Sequence, residues 1–232
     1  MTSHRVRFER QPLNSQDEYF LDTDTHTAPT HIGGLEIYDL PAGAGPDFMQ
    51  QLFAYLKSCP VRAEPFNYRL LVAEPEEPKA TGKVPLTGAK KRKPKAVRMW
   101  EKLDQVNVEE HLYMHALPRP GGQRELGELV ARLHVNRLDR HRPLWEVHLI
   151  EGLQGRRYGV YTKLHHSQFD GKRGMELSKY VRSPDAKARN VPPVWAVKLP
   201  KRAAKAGASR GAKQATLETL ASWGKAVRSM AL

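Results

Sequence analysis

Two stretches decide how this chain is read: Pro143-Leu144-Trp145-Glu146-Val147-His148-Leu149-Ile150, and Arg157-Tyr158-Gly159-Val160-Tyr161-Thr162-Lys163-Leu164-His165-His166. In the first, Trp145, Val147 and Leu149 fall on one side, the period-two pattern of a strand. In the second, Tyr158, Val160, Thr162, Leu164 and His166 share a face by the same rule. Glu151-Gly152-Leu153-Gln154-Gly155 joins them as a turn, so the pair is predicted to be a β-hairpin. Its exit carries His165-His166-Ser167-Gln168-Phe169-Asp170-Gly171. At this composition, two histidines, three residues and Asp-Gly arise by accident in on the order of one chain in a thousand.

Consecutive strand residues point to opposite faces, so only one histidine of the pair shares a face with Val160 and Leu164, and the two are expected to do different work. A neutral imidazole titrates near pH 7, which suits it to take a proton from a hydroxyl and pass it to a leaving group. Asp170 is placed to fix the loop by an ion pair or by capping the next helix, and Gly171 permits a tight backbone. The bland alternative is that His165 and His166 are surface or satisfied core histidines. A metal site would need His134 or His148 as further ligands, and nothing in their spacing brings three or four ligands together, so no metal is expected. Cys59, ending a helix, reads as a small buried apolar group rather than a nucleophile.

Working outward, Pro118-Arg119-Pro120-Gly121-Gly122 is a turn, and Leu126, Leu129, Val130 and Leu133 recur at helical spacing beyond it. Trp100 to Leu117 is expected to be ordered, with Val106 and Val108 on one face of a strand. Phe66 to Ala73 reads as a short strand. Asn14 to Glu18 before Tyr19-Phe20-Leu21 predicts a capped short helix. His31 to Tyr38 suits a strand with a glycine bulge at Gly33-Gly34. Phe48, Leu52, Tyr55 and Leu56 mark a helix opening at Pro46 and closed by Pro60. Downstream, Met175, Leu177, Tyr180 and Val181 suggest a short helix. From Ser183 the chain is Pro-, Lys- and Ala-rich, a linker by composition, and Ala212 to Met230 is a candidate terminal helix.

The chain has 232 residues, with 38 Lys and Arg against 25 Asp and Glu, a net charge of +13. A single cysteine excludes an intramolecular disulfide framework and fits a reducing compartment. No apolar run approaches the roughly 20 residues that span a bilayer, and Met1 to Leu13 lacks the apolar centre of a secretory signal. A soluble, intracellular protein is expected. The charge is uneven: residues 1–150 carry 21 basic and 20 acidic groups, whereas residues 151–232 carry 17 and 5. Lys79 to Arg98 alone holds eight basic residues and no acid. Such runs are solvated chain or bind an anionic surface, either phosphate head groups, nucleic acid or a phosphorylated cofactor. Nucleic acid is the weakest of these, because the basic residues are not interleaved with stacking aromatics.

Arg137 to Leu153, then Tyr161 to His166 and Asp170-Gly171, together resemble the bacterial wax ester synthase/diacylglycerol acyltransferase family. Pro12-Leu13, Asp17, Phe20-Leu21 and His31-Ile32-Gly33-Gly34-Leu35 are similar to that family's opening, and Pro192-Pro193-Val194-Trp195 to a later motif. The likeness covers about residues 10–200. It implies an α/β fold, an α+β two-layer sandwich of the chloramphenicol-acetyltransferase-like superfamily with a mixed sheet and flanking helices. Residues 1–182 would form the N-terminal acyltransferase domain, with residues 79–98 as a basic insertion, and residues 183–232 a basic linker with a possible terminal helix.

The resemblance further implies acyl-CoA as co-substrate, no bound cofactor, and transfer to diacylglycerol or a long-chain alcohol. It gives His166 the role of general base and His165 a supporting one. Asp170 would orient the loop and Gly171 serve its turn. Trp145 and Glu146 would pack the hairpin. Ser167 stands where a small apolar residue is common in the family, and Thr30 where a methionine is. Members of the family have two similar halves with the active-site channel between them, so this chain would correspond to the first half, and three alternatives stay open: a truncated product inactive alone, a split enzyme that works with a separate C-terminal half, or an inactive remnant. Its substrates place it in the cytoplasm, peripheral to an anionic membrane or lipid-droplet surface. The competing expectation is a non-catalytic module held to that surface by its basic segments.

Overall fold

The computed structural model describes residues 9–73, 96–169 and 190–197, together with positions 181, 183, 185 and 188. All lie within the compact unit Met1–Lys198. The expected hairpin is its centre. Strand β6 (Trp145–Leu153) runs antiparallel to β7 (Arg157–His165), with Trp145 opposite Leu164 and Ile150 opposite Gly159. The expected five-residue turn is shorter than the sequence suggests. β6 continues through a register shift between Ile150 and Leu153, and left-handed Gly155 and Arg156 complete the reversal. At the other end β7 stops at His165, so His166 is not part of the face of Tyr158, Val160 and Leu164. The N–H groups of Gln168 and Phe169 both return to the His165 carbonyl, which rolls the chain into a turn.

Two more strands complete this sheet. β2 (His31–Asp39) pairs antiparallel with β7, and β5 (Leu112–Ala116) pairs parallel with β6, giving the order β2-β7-β6-β5. Parallel neighbours need a crossover, supplied by helix α3 (Gln123–Val135) between β5 and β6. Its apolar stripe, Leu126, Leu129, Val130 and Leu133, packs on Leu117, Ile150, Leu153 and Tyr161. Helix α2 (Phe48–Ser58), two residues later than Pro46, approaches the opposite face, where the Phe48 ring lies 5.9 Å from that of Tyr158. Trp145 anchors that face. Its ring stacks on His111 at 4.2 Å and Trp195 at 5.4 Å, and its Nε1 donates to the Phe66 carbonyl at 2.9 Å.

No bulge interrupts β2, whose nine residues pair with β7 in one register. The glycine at position 33 answers a different need: a β-carbon there would lie 2.5 Å from the Tyr161 hydroxyl. A second, antiparallel sheet has the order β1-β4-β3, from β1 (Arg10–Pro12), β4 (Val97–Lys102) and β3 (Tyr68–Ala73). An isolated bridge from Arg69 to Pro143 ties it to the hairpin. Helix α1 (Ser15–Thr23) starts as expected, with the Asn14 side chain accepting from the N–H groups of Gln16 and Asp17 at 2.8 Å. Leu21 of α1 joins Tyr68, Leu70, Trp100, Leu138 and Leu144 in one core cluster.

Val106 and Val108 do not form a strand. Asn107 caps a single 3-10 turn, Val108–Glu110, accepting from Glu109 N–H at 3.2 Å, and the strands lie to either side as β4 and β5. Of the basic stretch 79–98, Val97 and Arg98 belong to β4. Its first part, residues 79–95, lies outside the described residues, as do the helices expected near Met175 and from Ala212 to Met230. The segment read as linker keeps hold of the core as far as Trp195. That residue is buried, its carbonyl accepts from Arg62 and Ala63 N–H, and its indole donates to the Cys59 carbonyl at 3.2 Å. Cys59 is itself a buried free thiol.

Candidate active site

The adjacent histidines part company as the end of β7 dictates. His165, the last strand residue, points into the protein and is 1% exposed. His166 opens the turn: its N–H donates to the Thr30 carbonyl at 3.0 Å, and its half-buried ring lies flat on Phe20, 4.0 Å between centroids and 18° between planes. The Nδ1 of His166 is buried with no hydrogen-bond partner among the described residues. Asp170 and Gly171, the other members of the motif, lie outside them.

His165 is held from both sides. Its Nδ1 accepts from the Ser167 N–H at 3.2 Å and the Ser167 hydroxyl at 2.8 Å, so that nitrogen carries a lone pair and the proton sits on Nε2. Nε2 faces Thr30 Oγ1 at 3.4 Å and Asp24 Oδ2 at 3.7 Å. Burial drives the His165 imidazole down to about 4, against the upward pull of Asp24. At neutral pH it is therefore an uncharged hydrogen-bonding strut.

Asp24 is the hub of the clamp. Oδ2 accepts from Arg137 Nη2 at 2.6 Å and Nε at 2.8 Å and from Arg140 Nη2 at 3.0 Å; Oδ1 accepts from Thr30 N–H at 3.1 Å. Burial pushes this carboxyl up, but the Arg137, Thr30 and Arg140 hydrogen bonds outweigh it and hold the group at about 2. Thr30 donates its hydroxyl to the Phe20 carbonyl at 2.8 Å, and Arg140 donates to the Leu21 carbonyl at 2.6 Å. The end of α1, the start of β2 and the histidine turn are thus one unit.

Glu146 does more than pack the hairpin. It receives Lys163 Nζ at 2.8 Å and faces His148 Nε2 at 3.3 Å, while His148 Nδ1 meets His115 Nε2 at 3.0 Å. Lys163, 1% exposed, gives its other two protons to the carbonyls of Leu133 and Asn136, both at 3.0 Å. His134 is engaged with the Tyr161 hydroxyl at 2.6 Å. Among the described residues no group of three or more His, Cys, Asp or Glu side chains is arranged to hold a metal ion.

A cleft of about 370 Å³ opens beside the turn, lined by Ser167 and Gln168 together with Asn14, Asp17, Tyr68 and Trp100 among others; His166 is not part of its lining. Asp24 is the functional residue that sequence reasoning missed. It lies in a polar run between a helix end and a strand, with no periodicity to announce burial, and its partners Arg137 and Arg140 are 113 and 116 residues away.

Residues 84–232 match the family model described as the wax ester synthase/diacylglycerol acyltransferase catalytic domain. This chain belongs to the wax ester synthase/diacylglycerol acyltransferase family. Among relatives, it is 36% identical over 181 residues to a Mycobacterium tuberculosis protein named "probable diacylglycerol O-acyltransferase", covering 77% of this chain and 36% of that one. It is 32% identical over 190 residues to the O-acyltransferase WSD of Acinetobacter baylyi, covering 81% of this chain and 36% of the relative. A solved wax ester synthase/diacylglycerol acyltransferase from Marinobacter aquaeolei superposes with a TM-score of 0.66 at 34% identity, over 82% of this chain and 42% of that one. The chain thus spans little more than a third of the length of the curated relatives it matches, and the α/β class with mixed sheet and flanking helices is the family's own.

Proposed function

We propose that this chain supplies the histidine-bearing part of an O-acyltransferase that moves a fatty acyl group from acyl-CoA to diacylglycerol or a long-chain alcohol. The observation that carries the reading is the division of labour in the motif: His165 is locked into the Asp24 clamp, while His166 leaves the strand with its Nδ1 unpartnered among the described residues. His166 acts as general base. It takes the proton of the acceptor hydroxyl, and the alkoxide oxygen attacks the thioester carbonyl carbon. As the C–S bond breaks, the imidazolium returns the proton to the departing thiolate, so ester and free CoA leave and the histidine is regenerated. His165 supports the turn, Asp170 orients it and Gly171 allows it to close. No bound cofactor takes part; acyl-CoA is a co-substrate.

The part of the relatives that this chain does not span provides the remaining walls of the site, as a separate C-terminal half. The basic segments hold the protein, cytoplasmic and peripheral, to an anionic membrane or lipid-droplet surface, as their charge supports. Labelled palmitoyl-CoA with diacylglycerol or hexadecanol tests the chemistry, with and without a C-terminal half supplied in trans. Ester formation is expected only with the complement and is lost in His166→Ala; equal turnover by that variant overturns the reading. Flotation with anionic liposomes is expected to succeed and to weaken as salt rises.

A further inference from the structure

We infer that Phe20 is a positioning residue for His166, an inference that rests on the general-base reading above. A histidine at the centre of a strand is oriented by cross-strand neighbours. His166 is paired with no residue of β2, because β7 ends at His165, and rotation about the bond to its ring is broad and roughly two-fold. Its Nδ1 makes no hydrogen bond among the described residues that would fix the ring plane. What fixes the plane is the Phe20 ring, stacked at 4.0 Å and 18°. Such a contact restricts an imidazole to in-plane displacements and covers one face, leaving proton exchange to the ring edge.

The phenyl ring can do this only if its own backbone is fixed relative to the histidine turn, and it is tied there twice. Thr30 accepts the His166 N–H through its carbonyl at 3.0 Å and donates its hydroxyl to the Phe20 carbonyl at 2.8 Å. One residue therefore spans the stacked pair. Asp24 holds Thr30 in turn, by accepting its N–H at 3.1 Å, and is itself fixed by Arg137 and Arg140. Tyr19, next along α1, packs edge-on against Phe20 at 5.6 Å. The buried cluster thus reaches the half-buried His166 ring through an aromatic face rather than through a hydrogen bond to its Nδ1.

Two measurements test this. In the full chain with histidine-selective ¹³C labelling, the His166 ring protons, assigned by their loss in His166→Gln, are expected to resonate upfield under the Phe20 ring current. They should move to ordinary positions in Phe20→Leu and stay upfield in Phe20→Tyr. In the complemented enzyme, Phe20→Leu is expected to lower kcat roughly tenfold or more, with KM for palmitoyl-CoA within about twofold, and Phe20→Tyr to restore kcat. Absence of the upfield shift overturns the stack, and a Phe20→Leu kcat equal to the native value overturns the positioning role. Equal losses in Leu and Tyr variants also overturn it, because the ring would then not be what matters. His166→Ala is assayed alongside: if it turns over normally the general-base reading itself has failed, whereas a dead His166→Ala beside a fully active Phe20→Leu removes the positioning role alone.

Discussion

The face of the four-stranded sheet that carries Trp145, Val147 and Leu149 buries hydrocarbon and indole, with Val160 and Leu164 half-buried beside them. The face that carries Glu146, His148, Tyr161, Lys163 and His165 is packed just as closely yet holds an ion pair and hydrogen-bonded imidazoles. The difference follows from what lies above. Near the start of α3 the second face is apolar, with Ile150 and Leu153 against Leu126. Near its end the helix presents carbonyls that no further turn can satisfy, and it is there that Lys163 reaches Leu133 and Asn136 and His31 meets the His134 carbonyl. The burial of Lys163 and His31 is thus placed by a helix terminus.

The comparison can be broken from either side. On the apolar face, Trp145→Ala removes the ring shared by His111, Phe66 and Trp195 and is expected to cost about 4 kcal/mol in urea unfolding. On the polar face, Lys163→Met strands Glu146 and two carbonyls and is expected to cost about 3 kcal/mol; adding Glu146→Gln should return part of that, a recovery absent if the pair were not coupled.

Acid tests the buried imidazoles, most of which lie on the polar face. The His165 imidazole binds its proton near 6.5 when unfolded but only at about 4 when folded. Between those values the unfolded chain holds more protons, so stability present at neutral pH is lost as the pH falls through 6.5 toward 4. His165 should contribute about 2 kcal/mol of that loss between pH 7 and pH 5, read as the difference in pH dependence between the native chain and His165→Gln. His31, His111, His115 and His134 are also depressed, in each case chiefly by burial, and add to the loss with the same sign. The smallest effect is expected from Ser167→Ala, about 1 kcal/mol, because the Ser167 N–H still reaches His165 Nδ1 when the hydroxyl is gone.

The hairpin, the capped α1 and the stripe of α3 were legible because each is written in a local period or a cap. Of the two strand readings that failed, one had a local cause and the other a non-local one. Val106 and Val108 alternate like a strand, but the Asn107 cap wins over that short pattern. Gly33 resembles a bulge until its neighbour across the sheet is known to be a tyrosine. The histidine motif announced itself by composition and spacing, and its two members were expected to differ. Which one would be buried depended on where β7 stops, and the turn in which the N–H groups of Gln168 and Phe169 return to the His165 carbonyl carries no period that announces it. Asp24 was invisible too: a carboxylate is recognised as structural only once its arginines have been brought to it.

Gly33 has one further consequence. The Tyr161 ring occupies the volume that a side chain at position 33 would need, and its hydroxyl bears on His134 near the end of α3. Edge strand, ring and helix are therefore stacked like plates whose separation is gauged by a single hydrogen atom. A methyl at position 33 would act as a shim, displacing Tyr161 and with it the ledge on which the Leu133 carbonyl and Lys163 meet.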